Sequence, residues 1–461
     1  MSAVIAAIAL DLGTTSIKAG LLSDDGEPHG IVARPAPAVN MDGGRYESDA
    51  LAYAEVAEAV LAECLAQTDA SPPLGLCCQR SSFLIWRRET GQPVTPLISW
   101  QDGRGAPGCE ALRGEEAEIR LLAGLPTTPY YLAPKLHMLL QENPSWREHL
   151  VTGEWLLGTL DTFLIWRWSD EYLTDASMAA RTLLMDVHRQ QWSPRLCELF
   201  GVPREALPQI RPSIGWALPL KNGLVLRASL ADQSAALAAS IVAGQPEALV
   251  NLGTGGFAIC HLPDGQGVPD GYLQTLLWQE ADGHAGYACE GTMNSIASAL
   301  APWPVAECDV EDLARDEIFC LAEPGGLGAP YFRKGIGLTF SSPVDALSPR
   351  RVAALLLEGI VFRVVRMLED MRREFGVERV YLSGGLSNLT ALQHGIARCA
   401  PFMEVFRLPQ SDAGLAGAAR LAAGAPAGGR CAEKVGIIRP ASALAGKYER
   451  WKVWLDGLLV R

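Results

Sequence analysis

The sequence of 461 residues lacks several patterns that mark particular classes of protein. Its seven histidines form no HxxxH or HExxH pair, so neither a histidine-based metal site nor a Ser-His-Asp triad is expected. The eleven cysteines show no CxxC spacing, which argues against a zinc ribbon or a dithiol redox centre. Because no apolar run reaches about 18 uninterrupted residues, the sequence predicts no membrane-spanning helix.

What is present fits an ordinary globular protein, with 49% hydrophobic and 20% charged residues. The net charge of −13 argues against nucleic acid as a general partner, although a locally positive pocket can still hold a nucleotide. The cysteines are odd in number and mostly isolated, which is typical of reduced, buried thiols. We therefore expect a cytoplasmic protein that binds no membrane.

A short motif occurs once in each half of the chain, as DLGT at 11–14 and as NLGT at 251–254. Apolar runs precede and follow each copy, which predicts a strand, a tight glycine turn and a second strand. Glycine lets backbone N–H groups approach an anion, and threonine adds a hydroxyl donor. We expect the two turns to face each other across a cleft and to grip a polyphosphate. The flanking apolar runs are Ile5–Leu10, Ile17–Leu22, Ala248–Val250 and Phe257–Leu262.

Strands and helices alternate along the chain, which predicts the α/β class. Ala50–Leu65 is an alanine-rich helix, and Trp155–Trp168 is apolar with aromatic residues at helix-like spacing. Ser348 and Pro349 form a good start for a long helix that ends at Gly376.

The chain length suggests two or three domains, and the repeated motif favours two. A helix at Gln233–Val242 closes near Gly244 and is followed by Pro246. We place the domain boundary there, with an N-terminal domain at 1–243 and a C-terminal domain at 244–461.

Asp11 stands where the first strand meets its turn. A carboxylate inside an apolar stretch is costly without a partner or a cation. Asp11 could lie beside Mg²⁺, through water, or it could bond its own turn. Lys18 could lie near phosphate, or it could be an exposed strand lysine.

Asp232 lies in SLADQSAAL, immediately before a helix-forming run. It fits a helix N-cap, and it also fits a general base, because phosphoryl transfer to an alcohol needs a carboxylate that orients and deprotonates the hydroxyl. The two roles are compatible.

Two polar segments follow predicted strands, CCQRSS at 77–82 and ISWQDGRG at 98–105. Their indole face, donors and acceptors suit a polyhydroxylated carbon chain. Core packing of Trp100 and a tight turn at Asp102-Gly103 remain alternatives. The candidate residues are Gln79, Arg80, Trp100, Asp102 and Arg104.

The strand at Arg379–Leu382 leads directly into SGGLSN at 383–388 and then into a helix. Bare glycine backbone and the positive end of a helix suit the sugar and phosphates of a nucleotide.

Several segments in order resemble those of the FGGY family of carbohydrate kinases, which includes glycerol kinase, xylulokinase and sedoheptulokinase. The segments are DLGTTSIK (11–18), GTLDTFLIWRW (158–168), TDASMAARTLLMDVHRQQWSPRL (174–196), ADQSAAL (231–237), NLGTGGF (251–257), GGLGAPYF (325–332), SGGLSN (383–388) and DAGLAGAA (412–419). The resemblance implies two ribonuclease-H-like domains of the actin and hexokinase type, flanking a nucleotide cleft. It also implies ATP- and Mg²⁺-dependent phosphorylation of a hydroxyl group on a small sugar or polyol.

The resemblance also assigns roles to individual positions. Asp232 matches the catalytic base, and Asp11 with Asp232 is expected on the metal side. The ATP-binding positions are Thr14, Thr15, Lys18, Gly253, Thr254, Gly255, Gly291, Gly384, Gly385 and Asn388. The acceptor-binding positions are Gln79, Arg80, Trp100, Asp102, Tyr130, Gln233 and Phe257.

The predicted acceptor pocket departs from both branches of the family. Glycerol kinases carry Arg-Glu where this chain has Arg80-Ser81, whereas WQDGR at 100–104 resembles the ketose kinases. The sequence therefore leaves the choice between a ketose and a glycerol-like polyol open, as it does the question of a homodimer. A catalytically weak ATP-binding regulator on the same fold is the alternative function, and a chaperone ATPase is disfavoured because no substrate-binding domain follows residue 461.

Overall fold

The computed structural model describes residues 5–23, 26–408, 412–426, 428, 432–436 and 442–460. In chain order the strands are β1 Ile5–Leu12, β2 Ser16–Ser23, β3 Pro28–Pro35, β4 Asn40–Asp42, β5 Arg45–Ser48, β6 Leu74–Cys78, β7 Phe83–Arg87, β8 Leu97–Ile98, β9 Trp155–Thr159, β10 Leu173–Asp175, β11 Met185–Asp186, β12 Gln191–Trp192, β13 Gln209–Arg211, β14 Ile214–Pro219, β15 Val225–Ala231, β16 Glu247–Leu252, β17 Gly256–Leu262, β18 Leu273–Gln279, β19 Ala285–Met293, β20 Cys320–Leu321, β21 Thr339–Phe340, β22 Arg379–Ser383, β23 Glu404–Arg407 and β24 Glu433–Lys434.

The α-helices are α1 Ala50–Leu65, α2 Ala106–Ala111, α3 Glu116–Ala123, α4 Leu132–Glu142, α5 Trp146–Val151, α6 Leu160–Ser169, α7 Ala176–Ala179, α8 Pro194–Phe200, α9 Asp232–Ser240, α10 Ile296–Leu300, α11 Pro349–Phe375, α12 Thr390–Cys399, α13 Ala413–Ala422 and α14 Ser442–Leu459. The α/β class predicted from the sequence is confirmed.

The chain divides into two units. The first comprises 1–239, 275–286 and 412–428, and the second comprises 240–274, 287–411 and 429–461. The first unit therefore takes in two stretches that the sequence alone assigns to the second half.

The main sheet of the first unit has the strand order β14-β15-β6-β1-β2-β3. β2 is antiparallel to both β1 and β3, whereas β6 is parallel to both β1 and β15. Ala7, Ile8, Ala9 and Leu10 are all fully buried, as expected for a central strand that is covered on both faces. A second sheet of this unit has the order β4-β5-β8-β7-β9.

The sheet of the second unit has the order β18-β19-β17-β16-β22-β23-β24. Here β17 is antiparallel to both β16 and β19, and β22 is parallel to both β16 and β23. Because β24 is antiparallel to β23 as β14 is to β15, six strands repeat the order and directions of the first unit, with β16 in the place of β1. The repeated DLGT and NLGT motifs lie at equivalent points of two similar sheets.

Local signals explain where the long helices begin and end. The Asp49 side chain accepts hydrogen bonds from the N–H groups of Leu51 and Ala52 and so caps α1. In α11 the N-cap is Ser348, the first residue is Pro349, and Gly376 ends the helix with a left-handed φ of 71°. These boundaries are those that the sequence predicts.

One predicted helix is instead two elements. The apolar stretch Trp155–Trp168 forms strand β9 and then helix α6, because a short buried strand and a buried helix are equally apolar and periodicity alone does not separate them. The helix predicted at Gln233–Val242 is α9, which begins at Asp232 and ends at Ser240.

Two further sequence expectations concern thiols and membranes. The ten cysteines of the described ranges form no disulfide bond with one another. Of the helices that the structure describes, none has the length and apolar character needed to cross a bilayer.

Candidate active site

The first glycine turn lies between β1 and β2, in the first unit. Leu12 and Ile17 are the last paired residues, and Gly13 follows directly. A Cβ atom at Gly13 would lie 2.7 Å from the carbonyl oxygen of Ser16, so the turn requires glycine. The Tyr53 hydroxyl donates a 2.7 Å hydrogen bond to the Gly13 carbonyl, which fixes the turn against α1. Thr14 is half-buried and Thr15 is exposed.

Asp11 lies at the end of β1, beside Cys77 of the parallel strand β6. Burial is the main cause that raises the pKa of Asp11 to about 6, and the nearby Asp232 carboxylate adds to it. The Cys77 thiol, which hydrogen-bonds to Asp11, and the Lys18 ammonium act in the opposite direction. A carboxylate that is destabilised in its charged form favours a bound cation.

Lys18 is paired with an acidic residue that lies far along the chain. Its ammonium forms an ion pair with Asp412, and the side chains of Lys18 and Asp412 are 30% and 21% exposed. Lys18 is therefore neither an isolated strand lysine nor a fully free cation.

Asp232 is the first residue of α9, and its side chain is 41% exposed. Its Oδ1 accepts a 2.7 Å hydrogen bond from the N–H of Gln233, and it lies 3.6 Å from Nε of Arg80. The Arg80 side chain is only 5% exposed. The carboxylate is thus held at a helix start by a buried guanidinium while part of it faces solvent.

A chain of hydrogen bonds joins the first turn to the two polar segments. The Trp100 indole donates to Oγ1 of Thr14 at 2.9 Å, and Thr14 donates to Oε1 of Gln79 at 3.0 Å. The Ser82 hydroxyl also donates to Gln79 Oε1 at 3.0 Å and accepts from the N–H of Trp100 at 3.1 Å. The structure thereby brings together Thr14, Gln79 and Trp100, which the sequence predicted as site residues.

Aromatic rings lie beside this network. The ring centroids of Trp100 and Tyr130 are 5.3 Å apart, and those of Tyr130 and Tyr131 are 5.1 Å apart. The amide oxygen of Gln233 is buried and has no hydrogen-bond partner among the described residues. A buried acceptor without a donor is costly, so it suits a hydroxyl group of a ligand.

Asp102 holds its own loop together through its hydrogen bonds, and its predicted contact with the acceptor stays a prediction. Its buried carboxylate receives hydrogen bonds of 2.8 Å from Nε and Nη2 of Arg104 and of 2.7 Å from the N–H of Tyr46. Burial acts to raise the pKa of Asp102, but these hydrogen bonds outweigh it and hold the pKa below its usual value. Its oxygens are therefore already occupied, which corresponds to the turn alternative for Asp102-Gly103.

The second glycine turn lies between β16 and β17, in the second unit. The N–H of Gly253 donates to the carbonyl of Gly255 at 2.8 Å, and a Cβ at Gly255 would lie 2.9 Å from the Met293 carbonyl oxygen. Thr254 is exposed at the tip, and the half-buried Phe257 pairs with Asn251 across the hairpin. The turn thus presents bare backbone and one hydroxyl, as the first turn does.

The SGGLSN segment follows β22 and forms a 3₁₀ turn at Gly385–Asn388. Gly384 has a left-handed φ of 86°, and a Cβ there would lie 2.5 Å from the Leu252 carbonyl oxygen. Gly385 and Asn388 are exposed. This close backbone approach places bare glycine next to the strand that leads into the second turn.

Gly291 lies elsewhere, inside β19. A Cβ there would lie 2.5 Å from Sδ of Met367 and 3.1 Å from the ring of Tyr272. The residue is glycine because α11 packs closely on the sheet, and its predicted contact with ATP stays a prediction.

Sequence reasoning missed Cys77 as a partner of Asp11, Asp412 as a partner of Lys18, and a buried lysine, Lys135, behind the polar segments. Cys77 carried a usable signal, since β1 and β6 are adjacent parallel strands. The other two depend on contacts that no local pattern reveals.

Comparison with known proteins gives a consistent picture. Two family models match, for the N-terminal domain (residues 6–224) and the C-terminal domain (residues 248–425) of the FGGY family of carbohydrate kinases. Glycerol kinase of Thermus brockianus is 33% identical over 427 residues, which are 86% of this chain and 83% of that protein. Apulose kinase of Pectobacterium atrosepticum is 32% identical over 397 residues, 79% of this chain and 78% of that protein. The crystal structure of Plasmodium falciparum glycerol kinase with ADP superposes with a TM-score of 0.82 at 19% identity, over 98% of this chain and 97% of that one.

Proposed function

The chain belongs to the FGGY family of carbohydrate kinases, and from this premise we propose that it transfers the γ-phosphoryl group of ATP to a hydroxyl of a small sugar or polyol, with Asp232 as general base. The observation that carries the assignment of the base is the half-exposed Asp232 carboxylate 3.6 Å from the buried guanidinium of Arg80. Asp232 directly precedes Gln233, whose buried amide oxygen has no hydrogen-bond donor among the described residues.

ATP and Mg²⁺ are the cofactors of this family, and the residues present fit both. Mg²⁺ is bound by one or two carboxylates together with waters and substrate phosphates, and Asp11 with the nearby Asp232 supplies carboxylates whose mutual repulsion a cation relieves. The described residues include no group of three or more His, Cys, Asp or Glu that could bind a metal ion, as expected for a site completed by phosphate oxygens and water. The ion supplies charge neutralisation at the transferred phosphoryl group.

For the nucleotide, each unit contributes a glycine turn. The predicted phosphate-binding residues of the two turns are Thr14, Thr15, Gly253, Thr254 and Gly255. Lys18, Gly384, Gly385 and Asn388 remain the other predicted ATP-binding residues. Support comes from the requirement for bare backbone at these turns, where a Cβ would collide with neighbouring carbonyl oxygens.

The acceptor is held by stacking and hydrogen bonds. Trp100 and Tyr130 supply the aromatic surface, and Arg80 and Gln233 supply a donor and an acceptor for hydroxyl groups. Gln79 orients this set through Thr14, and Phe257 remains a predicted acceptor-binding residue of the second unit.

Catalysis then needs few chemical steps from the protein. Asp232 accepts the proton of the attacking hydroxyl, and Arg80 keeps the carboxylate charged and aimed, because a nearby guanidinium stabilises the anion. Since the transition state is mostly stabilised by position and charge, exclusion of water during the reaction prevents hydrolysis of ATP.

Ser81 bears on the choice of acceptor, because glycerol kinases carry a glutamate at the matching position. Ser81 is buried, and its hydroxyl donates to the Arg181 carbonyl at 2.9 Å, so it offers no carboxylate to the acceptor. We therefore propose a ketose or a polyol other than glycerol.

A coupled assay of ADP release over glycerol, pentuloses, sedoheptulose and apulose tests the proposal. We expect stimulation by at least one ketose or non-glycerol polyol above the rate with ATP alone, and loss of that stimulation in Asp232→Asn. ATP hydrolysis that no acceptor stimulates would favour the alternative of an ATP-binding regulator. The cytoplasmic location and a homodimer remain predictions from the sequence.

A further inference from the structure

Lys135 is a fully buried lysine in the first turn of α4. Burying an ammonium group is costly unless its hydrogen bonds are satisfied. The Lys135 ammonium donates to three backbone carbonyls, those of Ser99 and Tyr130 at 3.0 Å and that of Ser81 at 3.4 Å. All three donors of the ammonium group are therefore used on main chain.

These carbonyls belong to three separate segments of the chain, and each segment carries a residue proposed to bind the acceptor. Ser81 follows Arg80, Ser99 precedes Trp100, and the third carbonyl is that of Tyr130 itself. One buried cation is thus bonded to the backbone of all three segments.

Two of the segments around Lys135 have an unusual backbone geometry. Ser81 has a left-handed φ of 64°, a strained conformation for a residue other than glycine. A Cβ at Gly105 would lie 2.9 Å from the backbone N of Lys135, so the segment after Trp100 packs directly on the start of α4.

The position of the Lys135 ammonium at the start of α4 is not one that stability by itself would favour. A helix N-terminus carries positive partial charge, which disfavours a cation in the first turn. The direct partners of Lys135 are neutral carbonyls, and the charged groups that act on it are Asp102 and Arg104, which pair with each other. A buried charge that is retained against these costs points to a role in the neighbouring site.

We propose that Lys135 is a positioning residue, whose ammonium holds the segments of Arg80, Trp100 and Tyr130 in the geometry that binds the acceptor. This inference rests on the proposed function, since it assumes that the three segments contact the acceptor. Lys135 itself touches neither substrate, and its effect passes through the backbone.

The state of charge of Lys135 gives this role a dependence on pH. Burial, followed by the repulsion from Arg104 that Asp102 opposes, lowers the pKa of Lys135 to about 7. Above that pH the neutral amine has one donor fewer and a lone pair that faces a carbonyl oxygen. The three segments are therefore held less firmly in alkaline solution.

Hydrogen–deuterium exchange tests the holding role without reference to activity. In Lys135→Met we expect exchange about tenfold or more faster in peptides that cover 79–82, 98–105 and 127–132. The matched control is Lys447→Met, which removes another fully buried lysine, one paired with Glu358 in the second unit. The control should leave those three peptides unchanged, and unchanged exchange in a folded Lys135→Met would overturn the inference.

Kinetics test the link to the acceptor. With the acceptor found by the ADP-release assay, Lys135→Met should raise its KM roughly 10- to 100-fold, while the KM for ATP stays within about twofold. Faster exchange with an unchanged acceptor KM would overturn the inference and leave the kinase function standing. Failure of every acceptor to stimulate the wild-type enzyme would instead overturn the proposed function, and the exchange result would stand by itself.

If Lys135→Met does not fold, the pH dependence of the acceptor KM in the wild-type enzyme tests the role of Lys135. We expect the acceptor KM to rise roughly threefold or more between pH 6 and pH 9, because charge-assisted hydrogen bonds are lost, while the KM for ATP stays level. An acceptor KM that does not change over this range would overturn the role of Lys135.

Discussion

The two glycine turns lie at equivalent places in two similar sheets but differ in length and charge, since residues 13–16 form the first turn and residues 253–255 the second. Asp11 and Asn251 occupy the same place, each two residues before the glycine and each on the strand that pairs with both an antiparallel and a parallel neighbour. Asp11 is a carboxylate with a raised pKa, whereas the Asn251 amide donates a 3.1 Å hydrogen bond to the Ser383 hydroxyl. Both turns are proposed to bind phosphate, but only the first has a carboxylate at this position, which is proposed to lie beside Mg²⁺.

Two buried carboxylates away from the turns show a similar contrast. In the first unit the buried Asp175 accepts hydrogen bonds from the hydroxyls of Ser177 and Ser213 and forms no salt bridge with the described residues. In the second unit the buried Glu323 pairs with Arg363 at 2.6 Å. Burial without a countercharge raises the pKa of a carboxylic acid towards neutral pH, where the group can exchange a proton. An ion pair keeps both groups charged and has a structural role.

The largest expected effect lies at the base. Asp232→Asn should lower kcat by roughly 10²- to 10⁴-fold, the usual scale for a general base, and leave the KM for ATP nearly unchanged. The measurement is steady-state ADP release with the acceptor saturating. A variant within about threefold of the wild-type kcat would remove Asp232 from this role.

The buried ion pair between Arg363 and Glu323 should contribute to the stability of the second unit. Arg363→Met leaves Glu323 buried without its partner and should lower the free energy of unfolding by about 3–5 kcal/mol, as measured by chemical denaturation. The double variant with Glu323→Leu should recover much of this loss, because an apolar pair replaces the ion pair. If the double variant is no more stable than Arg363→Met, the pair is not what stabilises this interior.

Exchanging the residues of the two turns tests their contrast directly. Asp11→Asn makes the first motif identical to the second, and it should raise the Mg²⁺ concentration for half-maximal activity by about 10- to 100-fold. Asn251→Asp is the matched control and should raise the KM for ATP by repulsion without a comparable change in the Mg²⁺ requirement. Equal Mg²⁺ responses of the two variants would contradict the division of roles.

The smallest effect concerns pH and stability. Burial, then the charge of Asp161, raises the pKa of Asp175 from 3.8 to about 7. Between these values the folded state keeps a proton that the unfolded chain releases, so Asp175 makes stability fall as the pH rises from about 4 to 7.

Asp175→Asn removes this titration. The difference in unfolding free energy between wild type and variant should change by roughly 1–2 kcal/mol between pH 5 and pH 7, in favour of the variant at the higher pH. Denaturation curves at the two pH values measure it, and a difference independent of pH would show that Asp175 does not titrate in this range.

Features with local signals could be predicted from the sequence. The bounds of α1 and the ends of α11 follow from Asp49, Ser348, Pro349 and Gly376, whose roles depend only on adjacent residues. The two glycine turns were predicted because each joins two short apolar strands through a glycine-containing motif, and a Cβ atom at Gly13 or at Gly255 would lie too close to a carbonyl oxygen. Fold class and family followed from these and from the order of the motifs.

Features that depend on distant contacts could not be predicted. Lys18 and Asp412 are 394 positions apart, and no pattern joins them before the chain folds. The close contact between Gly291 and Met367 likewise joins distant parts of the chain and is known only from the structure. Lys135 lies in α4, whose sequence has the pattern of an ordinary amphipathic helix and gives no sign that the lysine is buried.

The hydrogen bond from the Trp100 indole to the Thr14 hydroxyl joins the residue proposed to stack on the acceptor to the residue proposed to face phosphate. A ligand that turns the indole also reorients the hydroxyl. Because such coupling is reciprocal, we expect the sugar and the nucleotide to change each other's dissociation constant by the same factor. This one contact would make synergy between the two substrates a property of the first unit itself.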